Sequence, residues 1–442
     1  MKELNSIIKK LEKIWKKVYI VWWYPRSKIL WIKYNWDIDL STDATPEEIE
    51  KVLLVITEVW KKYWTLIIKE WKKIFEITTF REDIWILNHR KPVKVKFTKN
   101  LELDSKRRDF TMNAIYYNPI NNSFIDPENW ITDLKNNNIK FVWIPKNRIN
   151  EDALRILRFI RFKNKYNLKC FDKNYFSILK HNIILLKNIS IERIKEEFEK
   201  ILLLENNINA LKELKQIWFF EIFFPEIEDL EKTHWWPRHH LEWDVWIHTL
   251  KTIEELNKII KRWFLIPDKT WKETKLNLSK NEKIALYRTM LLHDIWKHST
   301  FSKDENWNVH YLRHEIVWLE KYNEMKKRFI FTNKEKEIIN YLIENHLKVY
   351  KISEMRTLKS RKFMMHKYFP YLMIIWICDH LWRTPAKKDL ITKLKKFYKD
   401  FIIELNKKKF VTGKDVIEKF PKLKWSEIKK KIDEINDNIL IK

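Results

Sequence analysis

The chain has 442 residues and a formal net charge of +28, from 88 Lys and Arg against 60 Asp and Glu. This length suffices for about two to four domains with substantial cores, and the basic excess favours a polyanionic partner such as nucleic acid. Two cysteines, far apart and without a Cys-x-x-Cys pair, argue against a disulfide framework and a thiolate zinc site. With no signal-peptide pattern and no run of 18 apolar residues, we expect a soluble cytoplasmic protein without a membrane partner.

The predicted elements change along the chain from mixed strands and helices to helices alone. A lead-in helix is predicted over 1–17, followed by strand patterns such as VYIV, TLIIK and VKVKF and one helix over 46–59. After about Asp126 the hydrophobic spacing is almost wholly helical. The predicted fold class is therefore α+β, with a small mixed-sheet head followed by helical domains. The predicted domains are 1–140 for the head, 141–232 for a helical neck, 233–385 for a histidine-rich helical domain and 386–442 for a lysine-rich tail.

Asp37 and Asp39 form the most informative short motif in the head, Asp37-Ile38-Asp39. Side chains alternate along a strand, so both carboxylates point to the same face. Two neighbouring carboxylates repel each other and favour a shared divalent cation, as two-metal phosphoryl transfer requires. Arg26 lies upstream and suits a triphosphate, because a guanidinium forks onto phosphate oxygens. These residues predict a metal-dependent phosphoryl-transfer site.

The tryptophan content is abnormal, because the chain has 24 Trp and 1 Gly. Average usage would give about 31 glycines in this length, and turns are difficult to build without them. Trp22 and Trp23 follow a predicted strand, Trp130 lies in the polar turn DPENW, and Trp296 interrupts HDIWK, all places that favour glycine. We infer that a codon meaning glycine in the source, UGA in our interpretation, is read here as tryptophan. The alternative is a tryptophan-rich protein that stacks nucleic-acid bases.

With glycine at such positions, the first motif reads VGGYPRSKILG and NGDIDLSTDATPEE. It resembles the head motif of class II tRNA nucleotidyltransferases, the CCA-adding enzymes and their poly(A) polymerase relatives. The resemblance implies a polymerase-β-like nucleotidyltransferase head that adds C, C and A to the tRNA 3′ end without a template, from CTP and ATP and with Mg²⁺. Ser27 departs from the family, which usually has Asp there. The residues assigned to nucleotide binding are Trp22, Trp23 and Arg26, and those assigned to catalysis and magnesium are Asp37 and Asp39.

A third carboxylate is predicted on the hairpin WTLIIKEWKKIFEITTFRED. Glu76 lies between Phe75 and Ile77, which face the opposite side of the strand. An acidic residue between apolar neighbours on a strand is costly unless it serves a metal or a base. The resemblance implies that Glu76 completes the catalytic set as a ligand or a base, with Asp83 as the reserve candidate.

The run LELDSKRRDFTMNAIYY matches the family's R-R-D-x-T-x-N-A motif. Arginine binds phosphate, and a carboxylate or an amide can accept hydrogen bonds from ribose hydroxyl groups. The resemblance implies that this run holds the sugar and phosphates of the incoming nucleotide. The residues concerned are Arg107, Arg108, Asp109 and Asn113.

The segment INEDALRILRFIRF predicts a single helix whose polar side carries Asp152, Arg155, Arg158 and Arg161 at intervals of three. An Asp can accept from the amino group of a base while an Arg donates to its acceptors, which imitates a base pair. The match to the family's E-D-x-x-R motif implies that Asp152 and Arg155 select the base. Arg158 and Arg161 would then bind the triphosphate. The later residues predicted to support this helix are Ser190, Arg193 and Glu197.

Histidines concentrate in the third predicted domain, where HDIWK, read as HDIGK, resembles the HD superfamily of metal-dependent phosphohydrolases. The resemblance implies a site of imidazole and carboxylate ligands that suits Mn, Ni, Fe or Mg. In relatives such a site hydrolyses cyclic phosphates or phosphomonoesters. The implied ligands are His248, His293, Asp294 and Asp379, with His314 and His346 available for a second metal or for phosphate.

The sequence leaves several alternatives open. A poly(A) polymerase, or an enzyme that adds only CC or only A, shares these motifs. A non-catalytic RNA-binding protein would stack bases on real tryptophans, and a stand-alone HD phosphohydrolase would carry a degenerate head. An A+T-rich genome would also raise the Lys content, so charge alone does not identify the partner. We expect tRNA, ATP and CTP as partners, and no obligate protein partner.

Overall fold

The computed structural model forms two compact units, Met1–Phe219 and Phe220–Lys442. Within the described residues, no helix has both the length and the apolar character needed to cross a membrane. The division into four domains stays a prediction. The structure describes residues 2–32, 38–57, 65–87, 91–230, 244–261, 263–264, 274–275, 277–303, 309–311, 314–381, 388–408, 411–421 and 423–441.

The first unit combines a mixed sheet with short helices. Runs rich in Val, Ile, Thr and Phe form its strands, because branched and aromatic side chains pack well on a pleated surface. The strands are β1 Val18–Val21, β2 Asp39–Thr42, β3 Val55–Thr57, β4 Thr65–Glu70, β5 Lys73–Thr79, β6 Arg81–Leu87, β7 Lys91–Phe97, β8 Tyr116–Asn118 and β9 Ser123–Ile125. The helices are α1 Lys2–Glu12, α2 Trp23–Ile29, α3 Pro46–Val52, α4 Leu101–Lys106, α5 Ile131–Lys135, α6 Pro145–Glu151, α7 Arg155–Lys165, α8 Tyr175–Asn182, α9 Ile191–Leu202 and α10 Asn207–Gln216, with 3-10 turns at Thr111–Asn113 and Ile183–Asn188.

The main sheet has the strand order β3-β4-β5-β2-β1-β8-β9, and β6 pairs separately with β7. β2 and β5 are parallel, and the other neighbouring strands are antiparallel. Leu4 and Ile7 of α1 and Ile49 of α3 pack with Leu40 and Ile77 in the largest core cluster of this sheet. Burial of this face fixes the register, because a one-residue slip would expose the apolar side chains.

The predicted hairpin is confirmed, but the predicted helix over 46–59 is wrong beyond Val52. β4 and β5 pair antiparallel from Thr65↔Thr78 to Glu70↔Lys73. Thr45 and Glu48 form a capping box at the start of α3, whereas Leu53 already has an extended backbone with φ −125° and ψ 148°. The next residues, Val55–Thr57, pair with β4. Three consecutive β-branched residues beside an available strand outweigh the helical spacing.

The single helix predicted from INEDALRILRFIRF is also wrong, because the chain breaks at Asp152. α6 ends at Glu151, and Asp152 has an extended backbone with φ −146° and ψ 103°. Its Oδ1 accepts a hydrogen bond from the Leu154 backbone N–H at 3.2 Å. Aspartate side chains compete in this way with the helix for backbone donors. The three arginines therefore share α7, while Asp152 precedes it.

The second unit is mainly helical, which confirms the predicted α+β class. Its most apolar helix, α19 Phe369–Leu381, is buried and packs against α13 Val245–Lys261, α14 Lys280–Leu292 and α17 Asn333–Asn345. The other helices are α11 Phe219–Phe223 at the unit boundary, α12 Pro225–Glu228, α15 Lys297–Thr300, α16 His314–Arg328, α18 Thr357–Met364, α20 Lys388–Lys407, α21 Gly413–Lys419 and α22 Trp425–Ile441, with a 3-10 turn at Lys348–Glu354. Two short ribbons pair β10 Trp263–Phe264 with β11 Thr274–Lys275, and β12 Phe301–Lys303 with β13 Val309–Tyr311.

Candidate active site and metal-binding cluster

β2 and β5 bring two predicted catalytic residues together. Asp39, the first residue of β2, is the register partner of Glu76 on β5. Phe75 and Ile77 are buried and Glu76 is exposed, as the alternation of a strand requires. Asp39 and Glu76 both line a cleft of about 790 Å³. The third predicted acid, Asp37, lies outside the described residues.

The turn after β1 forms part of the same cleft. Val21, the last residue of β1, is the antiparallel partner of Asp39. Trp22 and Trp23 follow it directly, and both line the cleft. The two tryptophans therefore lie beside the acidic end of the cleft.

Arg26 is a buried cation in the cleft wall. It donates one hydrogen bond to Asn113 Oδ1 and another, at 3.2 Å, to the hydroxyl group of Tyr166. Burial lowers the pKa of Arg26, while Tyr166 and Asp109 act in the opposite direction. The structure thus joins two predicted nucleotide-binding residues from different motifs, Arg26 and Asn113.

A buried network positions the two arginines of the R-R-D run. Asp104 accepts hydrogen bonds from Arg107 at 2.8 Å, from Arg108 at 3.0 Å and from the hydroxyl group of Tyr116. Burial raises the pKa of Asp104, but Arg107 and Arg108 outweigh burial and hold it well below its usual range. Sequence reasoning missed Asp104. Its spacing of three and four residues from the arginines was the available signal.

Asp109 links the R-R-D run to α7. Its Oδ1 accepts from Asn113 Nδ2 at 2.7 Å, and its Oδ2 accepts from Arg158 Nε at 2.8 Å. Burial raises the pKa of Asp109, but Arg158 and Asn113 outweigh burial and lower it to about 2. Asp109 is therefore an anion at neutral pH, and it holds Arg158 in one orientation at the cleft.

One side of α7 lines the cleft with Arg158, Arg161 and Lys165. Arg161 Nε donates to Oε2 of Glu197, a buried residue of α9, at 2.7 Å. Burial, together with Arg26 and Arg161, lowers the pKa of Lys165 to about 8. Sequence reasoning missed Lys165, although it lies four residues after Arg161 and thus on the same side of the helix.

Asp152 and Arg155 are not among the described residues that line the cleft. Arg155 donates to Glu151 Oε2 at 2.7 Å and to the backbone carbonyl of Arg107 at 3.1 Å. Asp152 accepts from Arg193 at 3.1 Å. The structure therefore places Arg158 and Arg161 in the same cleft as Asp39 and Glu76. Asp152 and Arg155 instead form ion pairs outside that lining.

The four predicted metal ligands of the second unit meet in its interior. His248 Nε2 lies 3.0 Å from Asp379 Oδ1, and His293 Nε2 lies 3.2 Å from Asp294 Oδ2. The crossed distances, His248 to Asp294 and His293 to Asp379, are both 3.8 Å. Ligand atoms of His248, His293 and Asp294 lie within 4.8 Å of one another. All four side chains are almost fully buried.

Lys297 and His346 border this cluster. Lys297 Nζ donates to Asp294 Oδ2 at 2.6 Å. The His346 ring lies 6.5 Å from the His293 ring, and its Nδ1 lies 2.6 Å from the carbonyl oxygen of Ile343. Burial lowers the pKa of His346 to about 4, so its imidazole is neutral at neutral pH. The side chain of His314 lies outside the described residues.

Comparison with known proteins decides the family. Residues 18–140 match the protein-family model described as the poly A polymerase head domain. Residues 170–230 match the family model described as the probable RNA and SrmB-binding site of polymerase A. The CCA-adding enzyme of Staphylococcus epidermidis is 31% identical over 274 residues, which cover 59% of this chain and 68% of the relative. That of Staphylococcus haemolyticus is 30% identical over 284 residues, which cover 64% of this chain and 67% of the relative. The chain belongs to the CCA-adding enzymes.

Membership of this family confirms the predicted tRNA nucleotidyltransferase and its CCA-adding function. Enzymes of this kind use divalent metal ions. The HD resemblance stays a prediction, because the matched family models end at residue 230.

Solved CCA-adding enzymes share the fold. The Bacillus stearothermophilus enzyme in complex with CTP superimposes with a TM-score of 0.64 at 20% identity, over 99% of this chain and 92% of the other. The Thermotoga maritima enzyme complexed with tRNA gives a TM-score of 0.62 at 18% identity, over 99% and 90%. At these identities the likeness concerns the fold, and it confirms the mixed-sheet head followed by helices.

Proposed function

We propose that the cleft of the first unit binds CTP or ATP and joins the nucleotide to a tRNA 3′ end in the cytoplasm. The observation that carries this proposal is the register pairing of Asp39 with Glu76 in a cleft with a strongly cationic lining. A nucleoside triphosphate needs cations for its phosphates and carboxylates for its metal. Solved relatives described with CTP, with ATP and with tRNA support the same substrates. The cations of the lining are Arg26, Arg81, Arg107, Arg108, Arg158, Arg161, Lys165 and Lys200.

The donor set fits Mg²⁺. Asp39 and Glu76 offer carboxylate oxygens from adjacent strands, and Mg²⁺ prefers such hard ligands. Asp37 would complete the set by the strand alternation predicted from the sequence. When bound, magnesium lowers the pKa of the tRNA 3′-hydroxyl group and neutralises charge on the departing pyrophosphate. Glu76, the exposed member, would bind metal or accept the hydroxyl proton.

The arginines of α7 would hold the triphosphate in a fixed position. Asp109 orients Arg158 and Glu197 orients Arg161 through hydrogen bonds of 2.8 and 2.7 Å. Side chains ordered before binding lose little entropy when a ligand arrives. Lys165 would add a third charge on the same side of the helix. This arrangement supports phosphate positioning that is independent of the base.

Base selection by Asp152 and Arg155 would require a change of partners. Asp152 would release Arg193, and Arg155 would release Glu151, before either could meet a base. Such an exchange replaces one charge-assisted hydrogen bond with another. The arginines inside the cleft would therefore bind phosphate, and Asp152 and Arg155 would select the base at its border.

The length of the product tests this function directly. Protein isolated from its source is incubated with a tRNA lacking its last three nucleotides, and with CTP and ATP separately and together. Addition of C, C and A, followed by termination, is the expected result. A long A tract would identify a poly(A) polymerase, and termination after CC, or addition of A alone, would identify a partial enzyme. Absence of incorporation would refute the proposal.

Base selection has its own test in Arg155→Ala. This variant should incorporate U or G at a raised frequency relative to C and A, because a donor to the base is lost. Arg161→Ala is the matched control on the same helix. It should raise the KM for CTP and ATP equally and leave the choice of base unchanged. Equal base selectivity in Arg155→Ala and the parent would remove Arg155 from this role.

A second candidate function is supported by the buried cluster of the second unit. Four buried imidazole and carboxylate groups with separations of 3.0–3.8 Å suit a divalent ion such as Mn, Ni, Fe or Mg. Two carboxylates that are both almost fully buried are costly without positive partners, and a divalent ion would be such a partner beside Lys297. His248, His293, Asp294 and Asp379 would hold the metal, and His346 would contact a second metal or a phosphate. Lys297 fixes one Asp294 oxygen.

Metal content and phosphohydrolysis test the second function separately. Purified protein should contain a transition metal or Mg²⁺, and should open a 2′,3′-cyclic phosphate. His293→Ala should lose both properties. His181→Ala, which changes an exposed histidine of the first unit, should lose neither. Equal hydrolysis by His293→Ala and the parent would retire the hydrolase proposal, and equal metal content would retire the metal site.

A further inference from the structure

Tryptophan occupies backbone conformations that side chains rarely adopt. In the described part of the chain, ten residues other than glycine have a positive φ, and six of them are Trp. The other four are Asn, whose short polar side chain tolerates the left-handed region. A bulky residue there places its Cβ against the following carbonyl oxygen. The six are Trp15, Trp22, Trp31, Trp71, Trp143 and Trp218, with φ between 54° and 69°.

Packing does not offset this strain at most of these positions. Trp15 and Trp31 are each 94% exposed, and Trp71, Trp143 and Trp218 are between 48% and 68% exposed. A large apolar ring gains little free energy when it remains in water. These positions are reversals of the chain: Trp71, for example, lies in the turn between β4 and β5. A turn with positive φ is the usual place of glycine.

Trp22 has the most restricted conformation of the six. Its φ of 62° and ψ of −104° lie near the first central position of a type II′ turn. That position is dominated by glycine, and its ψ differs from the left-handed helical region that Asn tolerates. The backbone conformation at position 22, between β1 and α2, therefore favours glycine, which has no Cβ.

The indole rings of Trp22 and Trp23 also contact cationic side chains that line the cleft. The Trp22 ring is 5.3 Å from the Arg108 guanidinium carbon and 5.7 Å from that of Arg158. The Trp23 ring is 4.5 Å from Lys165 Nζ and 5.9 Å from the Arg26 guanidinium carbon. Each ring thus lies within cation–π range of two groups that would otherwise face an anion.

We infer that positions 15, 22, 31, 71, 143 and 218 hold glycine in the functional protein. Glycine at 22 and at the adjoining position 23 would open the cationic wall to a triphosphate. The backbone conformations support the six assignments independently of the abnormal composition. The statement about the triphosphate rests on the proposed function, whereas the six assignments do not.

Mass spectrometry of the protein from its source tests the assignments without any activity measurement. The tryptic peptide 18–26 and the peptides that contain the other five positions should be lighter than the printed sequence requires. The mass difference should equal one tryptophan-to-glycine exchange for each of these five peptides, and two exchanges for peptide 18–26, which contains both Trp22 and Trp23. Intact tryptophan at these positions in the native protein would overturn the inference.

A matched pair of recombinant variants tests the physical argument. Trp71→Gly should raise the melting temperature by about 2–4 °C, because the backbone strain is relieved. Trp71→Ala removes the same indole but keeps a Cβ, and it should give little of this gain. Trp31→Gly and Trp31→Ala repeat the comparison at a position that is 94% exposed. Equal stabilisation by alanine and glycine at both positions would overturn the strain argument.

CTP binding tests the consequence for the cleft. The double variant Trp22→Gly, Trp23→Gly should bind CTP at least about tenfold more tightly than the recombinant parent, as expected when about 1.4 kcal/mol of steric and cation–π competition is removed. Unchanged CTP binding, together with the stability gains at Trp71, would overturn only the statement about the triphosphate.

Discussion

The two acidic centres of this chain hold their carboxylates in opposite ways. In the first unit, Glu76 is exposed on a strand, and the acids line an open cleft among arginines. In the second unit, Asp294 and Asp379 are each 3% exposed and lie 3.0–3.2 Å from imidazole nitrogens. An open acidic pair can exchange its metal with each substrate, whereas a buried pair depends on a retained cation. The contrast predicts that the first centre controls rate and that the second controls metal retention and stability.

Removal of a carboxylate that lines the cleft should give the largest effect on the rate of nucleotide incorporation. Asp39→Asn should lower nucleotide incorporation by about a thousandfold, equivalent to about 4 kcal/mol, because a metal ligand is lost from the transition state. Its melting temperature should stay close to that of the parent. Single-turnover incorporation on a tRNA ending before CCA measures the rate. Glu82→Gln, an exposed acid on β6, is the control and should leave the rate unchanged. A rate for Asp39→Asn near that of the parent would contradict the first half of the comparison.

Metal removal should destabilise the second unit. A metal present at 100 times its Kd stabilises a folded protein by about 2.7 kcal/mol, so a chelator should lower the melting temperature by several degrees. Differential scanning calorimetry measures this shift. Asp39→Asn should retain the shift, and Asp379→Asn should lack it. Identical melting with and without chelator would show that the buried centre does not retain a metal.

Low pH should lower the free energy of unfolding of the first unit, because Asp109 becomes protonated. Its folded-state pKa of about 2 lies below the usual value near 3.9, so its stabilising effect is present above about pH 4 and is lost as the pH falls through 2. The size of this contribution is about 2 kcal/mol. Urea unfolding of the parent and of Asp109→Asn should therefore differ most at pH 5–7, and the difference should shrink towards pH 2. A difference independent of pH would contradict this.

The smallest expected effect is a rise in the KM for CTP at alkaline pH, because Lys165 loses its charge. Its pKa of about 8 lies below the usual lysine value, so its charge is present at pH 7 and is lost as the pH rises through 8. The KM for CTP should rise about threefold between pH 7 and pH 9, the size expected for one solvent-screened charge. Lys165→Arg should give a flatter profile, because a guanidinium stays charged. Parallel profiles would exclude Lys165 from phosphate binding.

Motifs predicted which candidate site residues lie together better than periodicity predicted the ends of the helices. The hairpin carrying Glu76 is predicted by a short run with fixed local spacing, and the cluster around His293 is implied by the resemblance of HDIWK to the HD superfamily. The helix over 46–59 was wrong because pairing of Val55–Thr57 with β4 is a tertiary interaction that no local window contains. The break at Asp152 depends on one side-chain hydrogen bond to a backbone N–H.

Two of the residues that sequence reasoning missed, Asp104 and Tyr166, contact partners in other elements of the fold. Asp104 contacts Tyr116 as well as the adjacent arginines, and Tyr166 contacts Arg26 across most of the first unit's sequence. Such contacts depend on the folded unit, because each joins a helix to a residue outside it. Asp104 nevertheless had a helical spacing signal, whereas nothing in the sequence pairs Tyr166 with Arg26.

The parallel alignment of β2 with β5 has a consequence for how one active centre can accept both pyrimidine and purine. Backbone ladder bonds attach Asp39 and Glu76 to neighbouring strands, so their spacing cannot adjust without tearing the sheet. We therefore expect any adaptation between successive rounds of synthesis to come from the side chains that line the rest of the cleft. If these carboxylates hold the metal as proposed, we expect the side chains of α7, rather than the two strands, to adjust to the growing RNA end.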